Sequence, residues 1–191
     1  MKIVFATNNL NKLSEIRQLV PDNIDVLSLK DIDCVNDLPE TKETLEGNAM
    51  QKADFIFRKH GLSCFADDTG LEIDALNGAP GVYSARYAGL ECDAEKNIAK
   101  VLSELENEKD RKAQFRTVIA LIIEGRRYYF EGNCIGNITT SILGCQGFGY
   151  DPIFTPDGFN RTFAEMSKED KNLISHRGNA VRKLIEFLSK G

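Results

Sequence analysis

The chain has 191 residues, of which 42% are hydrophobic and 28% charged, and its formal net charge at pH 7 is -5. These values fit a single domain over residues 1–191, or two closely packed lobes. They argue against a general nucleic-acid binder, because phosphate backbones favour a basic surface. No apolar run is long enough for a membrane span or a signal peptide. The five cysteines are widely spaced, without a C-x-x-C pair, which favours reduced thiols. We therefore expect a cytoplasmic protein without nucleic-acid or membrane partners.

The first half of the chain alternates strands with helices. Apolar runs bounded by polar residues predict strands, and apolar residues at helical spacing predict helices. The predicted elements are, in order, a strand over residues 3–6, a helix over 11–20, a strand over 24–29, a helix over 43–60, a strand over 63–66 and a half-buried strand over 71–74. Pro21 ends the first helix, and Gly61 caps the end of the second.

The second half of the chain contains two long strands between helices. The predicted elements are a helix over residues 93–105, strands over 114–123 and 128–141, a glycine-rich loop over 144–151, a helix that starts at Ser167 and a last helix over 175–188. The two strands are joined by a turn near Gly125, which suggests an antiparallel ribbon. The class is therefore α/β, with a mixed sheet flanked by helices rather than a purely parallel one.

A polar segment separates the first strand from the first helix. It consists of Thr7, Asn8, Asn9, Leu10, Asn11 and Lys12. The N-terminus of a helix offers free N–H groups and the positive end of the helix dipole, so a lysine beside it makes an anion site. The spacing is not that of a Walker loop. An asparagine-rich turn with an N-cap and an exposed lysine explains the same residues, and both interpretations stay open.

Two adjacent carboxylates, Asp67 and Asp68, follow the apolar strand over residues 63–66. Neighbouring strand residues point to opposite faces, so only one of the two faces a given site. A carboxylate there can hold Mg²⁺ or act as a general base, and an aspartate-rich turn that ends the strand is the alternative. Glu40 in a loop carries no signal alone. Lys52 by default is a solvated lysine on its helix.

Two clusters near the C-terminus could recognise a planar ring. One is the run Phe148, Gly149, Tyr150 and Asp151. Its aromatic can stack on a base and its aspartate can accept from ring N–H groups, although a turn between strands explains the run as well. In the other cluster Ser175 caps a helix and places His176 and Arg177 in the first turn. Basic residues there oppose the helix dipole, which favours an anionic or carbonyl-bearing ligand.

Taken together, these clusters resemble the inosine triphosphate pyrophosphatase family, and the similarity covers essentially the whole chain. The matching stretches are, in order, residues 7–12, 40–53, 65–71, 78–87, 147–154 and 164–178. Any one alone is weak, whereas all of them in this order are specific. The resemblance implies an elongated mixed sheet in a two-lobed fold with a central substrate cleft, and a homodimer. It also implies Mg²⁺-dependent hydrolysis of ITP, dITP or XTP to the monophosphate and pyrophosphate.

The resemblance also implies a role for each matching residue. Glu40 and Asp68 would bind Mg²⁺, with Asp68 the base for the attacking water and Asp67 assisting. The residues expected around the phosphates are Thr7, Asn8, Asn9, Leu10, Asn11, Lys12, Lys52 and Thr69. Phe148 would stack on the base. The other residues expected around the base are Gly149, Tyr150, Asp151, Lys171, Ser175, His176 and Arg177.

Three positions depart from the usual family pattern, which commonly has E-T-G-x-T-F-x-E-N-A from position 40. Lys42 replaces the glycine, Leu45 the phenylalanine and Gly47 the glutamate. The other motif residues of this stretch remain. We therefore expect the activity to be kept, while the start of the 43–60 helix and any role for an acid at position 47 stay open.

Three other functions are less consistent with the sequence. A pyrimidine or modified-base pyrophosphatase, as in the Maf-like proteins, is disfavoured because the 148–151 and 175–177 clusters resemble the purine-selective branch. A nucleotide sensor without turnover is disfavoured because Lys12 and Asp68 are both present. A nucleic-acid binding module is disfavoured by the acidic balance.

Overall fold

The computed structural model describes residues 1–190. Within these residues the chain folds into a sheet of seven strands with five α-helices. The strands are β1 (Lys2–Phe5), β2 (Asp25–Leu27), β3 (Cys64–Ile73), β4 (Pro80–Gly81), β5 (Lys112–Ile123), β6 (Arg126–Ile138) and β7 (Phe154–Pro156). The helices are α1 (Leu10–Leu19), α2 (Leu45–His60), α3 (Ala94–Glu104), α4 (Lys168–Ile174) and α5 (His176–Leu188).

The sheet is mixed, as the sequence predicts. Its strand order is β2-β1-β3-β5-β6-β7, and β4 pairs with β3. Strand β1 pairs in parallel with β2 and β3, whereas the β3–β4 and β6–β7 pairs are antiparallel. Strands β5 and β6 are joined by Glu124 and Gly125, whose φ angles are 51° and 76°. A two-residue connection with both φ angles positive is a hairpin turn, which confirms the predicted ribbon.

Capping residues set where the helices begin and end. The side chain of Asn9 accepts from the backbone N–H groups of α1, and Thr44, Asp93 and Ser167 do the same for α2, α3 and α4. Each cap satisfies a helical N–H that has no partner within the helix. Gly61 ends α2 with a φ of 67°, the left-handed conformation that favours glycine.

Strand β3 corrects one prediction. The sequence suggested a strand that ends at residue 66 and a second one from 71, with an aspartate-rich turn as one explanation of the gap. The structure has a single ten-residue strand through Asp67 and Asp68, so the turn interpretation is wrong. Position 70 of this strand needs a glycine, because a Cβ there would lie 2.7 Å from the carbonyl oxygen of Gly81 on β4.

The chain divides into two compact units. The first unit comprises Met1–Asp68, Thr117–Gly132 and Arg177–Gly191. Its core has two clusters of buried apolar residues. In one of them the rings of Phe5 and Phe65 stack at a centroid distance of 4.6 Å. Strand β3 thus begins inside this core, which places Asp67 and Asp68 directly after buried residues.

The second unit comprises Thr69–Arg116 and Asn133–His176 and has its own core. The ring of Phe115 meets Phe154 edge-on at 4.7 Å and stacks on Phe163 at 6.1 Å. These rings lie among the buried aliphatic residues of α3 and β3, including Val101 and Leu71. The glycine-rich loop after β6 is therefore supported by an aromatic core of its own unit.

All five cysteines are free, and Cys34, Cys64 and Cys134 are buried whereas Cys92 and Cys145 are exposed. Within residues 1–190, no helix has both the length and the apolar character that a membrane crossing requires.

Candidate active site

In the first unit, Asp67 is fully buried and ion-paired with two cations. Lys12 Nζ donates to its Oδ1 at 3.0 Å, and Arg177 Nε donates to its Oδ2 at 3.1 Å. Burial alone would raise the pKa of Asp67, but Lys12 and Arg177 outweigh it and hold this pKa well below its ordinary value. Asp67 is therefore a fixed negative charge at neutral pH.

Arg177 is buried between two carboxylates. Besides Asp67, its Nη1 donates to Glu15 Oε2 on α1 at 2.5 Å. Burial would lower the pKa of Arg177, but Asp67 and Glu15 raise it above the ordinary value. These contacts indicate that Arg177 holds Asp67 in place. The expectation that it reads the edge of a base stays a prediction.

Asp68 has different partners, because it points to the other face of β3. Asn48 Nδ2 on α2 donates to Asp68 Oδ2 at 3.1 Å. Lys52 Nζ lies 3.9 Å from Asp68 Oδ1 and 2.5 Å from Glu40 Oε1. Lys52 is only 4% exposed, so the default expectation of a solvated helix lysine is wrong. The helix buries it because two carboxylates compensate its charge.

The charges around Asp68 alter its basicity. Burial raises the pKa of Asp68; Lys52 lowers it in part and Glu40 raises it again, so the result lies above the ordinary value. Burial would lower the pKa of Lys52, but Asp68 and Glu40 outweigh it and raise this pKa. In Lys12, by contrast, burial prevails over the attraction of Asp67, and the pKa is lowered. Asp68 is thus the more basic of the two aspartates, which suits a proton acceptor.

Glu40 and Asp68 could hold a metal ion. Both carboxylates approach the same Lys52 ammonium group, so their oxygens face one region. No group of three or more His, Cys, Asp or Glu side chains within residues 1–190 is arranged to hold a metal alone. Mg²⁺ commonly takes one or two carboxylates and completes its shell with phosphate oxygens and water. The pair of oxygen donors fits that use of Mg²⁺.

The segment over residues 7–12 combines a cap with exposed groups. Asn9 Oδ1 accepts from the N–H groups of Asn11 and Lys12 at 2.9 and 3.2 Å, so the N-cap part of the turn interpretation is confirmed. Its exposed lysine is wrong, because Lys12 is half-buried and pairs with Asp67. Thr7 is half-buried, and Asn8 and the residues up to Asn11 are exposed. Binding of an anion by this segment stays a prediction.

Two of the departures from the family pattern are in contact. A Cβ at Gly47 would lie 2.7 Å from Lys42 Cβ, which is too close for both side chains in this backbone. The backbone N–H of Lys42 donates to Asn48 Oδ1 at 2.8 Å, and Asn48 in turn contacts Asp68. The glycine at position 47 therefore makes room for the lysine at position 42. Leu45 is buried in the core of the first unit.

In the second unit, the carboxylate of Asp151 organises the glycine-rich loop. Its Oδ2 accepts from the Phe148 backbone N–H at 2.8 Å and from Lys171 Nζ at 2.7 Å. Lys171 Nζ also lies 4.9 Å from the centroid of the half-buried Phe148 ring. Gly147, with a φ of 75°, is needed because a Cβ there would lie 2.0 Å from Asp151 Oδ2. The loop thus presents Phe148 from a fixed backbone.

His176 and Ser175 are also buried in the second unit. The ring of His176 stacks on Phe115 at a centroid distance of 4.5 Å and lies 6.2 Å from Phe163. The Ser175 N–H donates to the carbonyl of Lys171 at 2.8 Å, which ends α4 just before α5 begins. The predicted first-turn position of His176 is confirmed, and the aromatic stack fixes its ring.

Comparison with known proteins places this arrangement in a family. The family model described as the Ham1 family matches residues 3–187. The chain belongs to the Ham1 family. A Flavobacterium johnsoniae protein named dITP/XTP pyrophosphatase is 57% identical over 99% of this chain and 98% of its own length. The resemblance stated from the sequence is confirmed.

Solved Ham1 structures share the fold. A HAM1 protein from Coxiella burnetii is 40% identical, covers 100% of both chains and superposes with a TM-score of 0.92. The Ham1 protein of Staphylococcus aureus is also 40% identical, with a TM-score of 0.90, over 100% of this chain and 99% of its own. The predicted α/β class with a mixed sheet flanked by helices is therefore confirmed.

Sequence reasoning missed several polar and aromatic residues of this Ham1 protein. Glu15 lies three residues after Lys12 on the same face of α1, and this spacing could have indicated that both residues belong to one site. Asn48 lies in a matching stretch but was given no role. Phe115 and Phe163 gave no local signal, because an aromatic residue in an apolar segment is expected in any core.

Proposed function

We propose that this protein hydrolyses abnormal purine nucleoside triphosphates, namely ITP, dITP and XTP, to the monophosphate and pyrophosphate. The observation that carries the proposal is the convergence of Glu40, Asp68 and the buried Lys52 in the first unit. The names of its Ham1 relatives support the same activity. We treat residues 1–191 as one functional domain.

Glu40 and Asp68 are proposed to hold Mg²⁺ together with oxygens of the substrate phosphates. The bound ion would neutralise charge on the polyphosphate. Asp68 accepts a proton from water, whose oxygen forms a bond to the α-phosphorus. The bond from this phosphorus to the bridging oxygen breaks, and pyrophosphate leaves.

Two lysines, one polar segment and Thr69 are proposed to bind the phosphates. Lys12 and Lys52 spread the negative charge that develops on the leaving pyrophosphate. The segment over residues 7–11 supplies backbone N–H and side-chain amide donors beside these two lysines. Thr69, which follows Asp68 on β3 and is half-buried, contacts the substrate.

The loop of the second unit is proposed to recognise the base. Phe148 stacks on it, and Asp151, Lys171 and His176 face its edge; the further predicted base-site residues are Gly149, Tyr150, Ser175 and Arg177. Hydrogen-bond donors that face a 6-keto oxygen would meet the amino group of adenine, and a buried mismatch of that kind costs factors of about 10⁴. Guanine shares the 6-keto group, so its 2-amino group has to be excluded by shape or left unpaired.

Two further proposals follow from the family resemblance. The protein is proposed to act as a homodimer, which sedimentation equilibrium would test. A cytoplasmic location is proposed as well, which cell fractionation would test.

The test is pyrophosphate release from ITP, XTP, GTP, ATP and dTTP with Mg²⁺. We expect fast release from ITP and XTP and slow release from the others. Asp68→Asn should slow release about 10³-fold, whereas Asp54→Asn should not. The control removes a carboxylate of the same unit that pairs with Arg127 on the surface. Equal rates with all bases would refute the base selectivity, and no release from any of them would refute the hydrolase.

A further inference from the structure

The segment over residues 78–87 matches the family pattern, yet the proposed function gives it no role. Ser84 is its buried centre, with 8% exposure. Its hydroxyl donates to the Gly81 carbonyl at 2.6 Å and accepts from the Leu71 N–H at 2.8 Å. The hydroxyl of Ser84 thus both donates and accepts a hydrogen bond within the second unit, and these two bonds fix the backbone of Ser84.

The carbonyl of Ser84 is the partner of Tyr150. Tyr150 Oη donates to it at 2.8 Å, and the ring is only 5% exposed. A tyrosine hydroxyl has one hydrogen to donate, so this bond leaves none for a base. Burial raises the pKa of Tyr150, and the hydroxyl keeps its proton at neutral pH. The hydroxyl of Tyr150 therefore acts on the neighbouring loop.

Tyr150 stands in the middle of the turn that presents the recognition groups. The Phe148 N–H donates to the Asp151 carboxylate at 2.8 Å, and the Asp151 N–H donates back to the Phe148 carbonyl at 3.3 Å. Gly147 and Gly149, which flank Phe148, have φ angles of 75° and 60°. These bonds close the turn on itself, and the tyrosine hydroxyl ties it to the buried backbone of Ser84.

We propose that the hydrogen bond from Tyr150 to Ser84 positions Phe148 and Asp151 for base recognition. Tyr150 is then a positioning residue that sets base specificity, and the backbone of Ser84 serves as its anchor. This inference rests on the proposed function. It predicts that loss of one buried hydroxyl alters the choice of base while the phosphate chemistry continues.

Tyr150→Phe removes the hydroxyl and keeps the ring. We expect the ratio of kcat/KM for ITP to that for ATP to fall about tenfold, because a loop that is no longer tied to Ser84 holds Phe148 and Asp151 less well for the base. KM for ITP should rise while kcat stays within about twofold, because ground-state binding is what changes. Tyr87→Phe is the matched control. Its hydroxyl donates to Glu104 of the same unit at 2.5 Å, and its ratio should match the wild type.

Ser84→Ala and a binding measurement give independent readouts. The alanine keeps the carbonyl and loosens the turn that presents it, so its ratio should fall between those of the wild type and Tyr150→Phe. Calorimetric titration with IMP and AMP should show the same loss of preference without turnover. If the variants have a lower melting temperature but keep the wild-type preference for ITP over ATP and for IMP over AMP, the inference is overturned. A wild-type enzyme that does not prefer ITP would instead overturn the proposed function.

Discussion

The two units hold their acidic residues in different ways. In the first unit, Asp67 and Asp68 lie side by side on β3, and buried lysine and arginine side chains surround them. In the second unit, Asp151 accepts from one lysine and from a backbone N–H of its own loop. The first arrangement tunes charge and proton affinity, whereas the second fixes the shape of a loop.

The two arrangements should therefore respond differently to substitution, one through the reaction rate and the other through the choice of base. Substitutions in the charged network should slow the reaction with every base, because they alter groups that serve the phosphates. Substitutions in the aromatic loop should change the choice of base. Catalysis and base choice should therefore be separable by substitution.

Lys52→Met should lower kcat about a thousandfold with ITP and with ATP alike. It leaves Glu40 and Asp68 facing each other without the cation that compensates them, and it removes charge stabilisation of the leaving pyrophosphate. Steady-state kinetics with both nucleotides measure the effect. Lys59→Met on the exposed side of α2 is the control and should keep the wild-type rate. A loss confined to ITP would contradict the separation.

Arg177→Met should lower the free energy of unfolding by about 3 kcal/mol, because it leaves the buried carboxylates of Glu15 and Asp67 without their shared partner. Urea unfolding followed by circular dichroism measures the change. Arg182→Met on the same helix replaces an exposed arginine, and it should alter the stability by less than about 0.5 kcal/mol. Equal effects of the two variants would show that the buried ion pairs contribute little.

Gly147→Ala should raise KM for ITP about tenfold, because the new Cβ collides with the Asp151 carboxylate and shifts the loop. Gly158→Ala is a matched control, since Gly158 also has a positive φ, 83°, but nothing lies within 4 Å of its added Cβ. Both variants carry the strain of alanine at positive φ. Only the difference between them reports the collision, and equal KM values would refute it.

Gly47→Ala should have the smallest effect, and its sign should depend on residue 42. In the wild type the added Cβ collides with Lys42 and should destabilise the protein. In a Lys42→Gly background the collision is gone, and alanine should stabilise the first turn of α2 by about 0.5–1 kcal/mol through its higher helix propensity. Thermal unfolding of the four proteins measures this double-mutant cycle. Additive effects would show that the two departures are independent.

Much of the fold follows from local signals in the sequence. The caps at Asn9 and Ser167 and the glycine after α2 mark helix ends, because they satisfy backbone groups within a few residues. Strand β3 was predicted in two pieces, because two adjacent aspartates are rare inside a buried strand. Their partners Lys12 and Arg177 lie 55 and 110 residues away, so no local pattern could reveal the compensation.

The candidate site was predicted less completely than the fold. The family resemblance led to Asp68, Glu40 and Lys52, and the structure brings these three together. The burial of Lys52 could not be predicted from the sequence, since helical periodicity places this residue just outside the apolar face of its helix. The contact between Tyr150 and Ser84 joins residues 66 positions apart, and only the folded backbone brings these two groups into register.

The most direct test of the separation compares Asp68→Asn with Phe148→Ala, using ITP and ATP for each. Asp68→Asn should lower kcat/KM for both nucleotides by the same factor, about 10³, and keep their ratio. Phe148→Ala should lower the ITP-to-ATP ratio and leave kcat within about threefold, because stacking on the base acts in binding. An altered ratio in Asp68→Asn, or an unchanged one in Phe148→Ala, would contradict this separation.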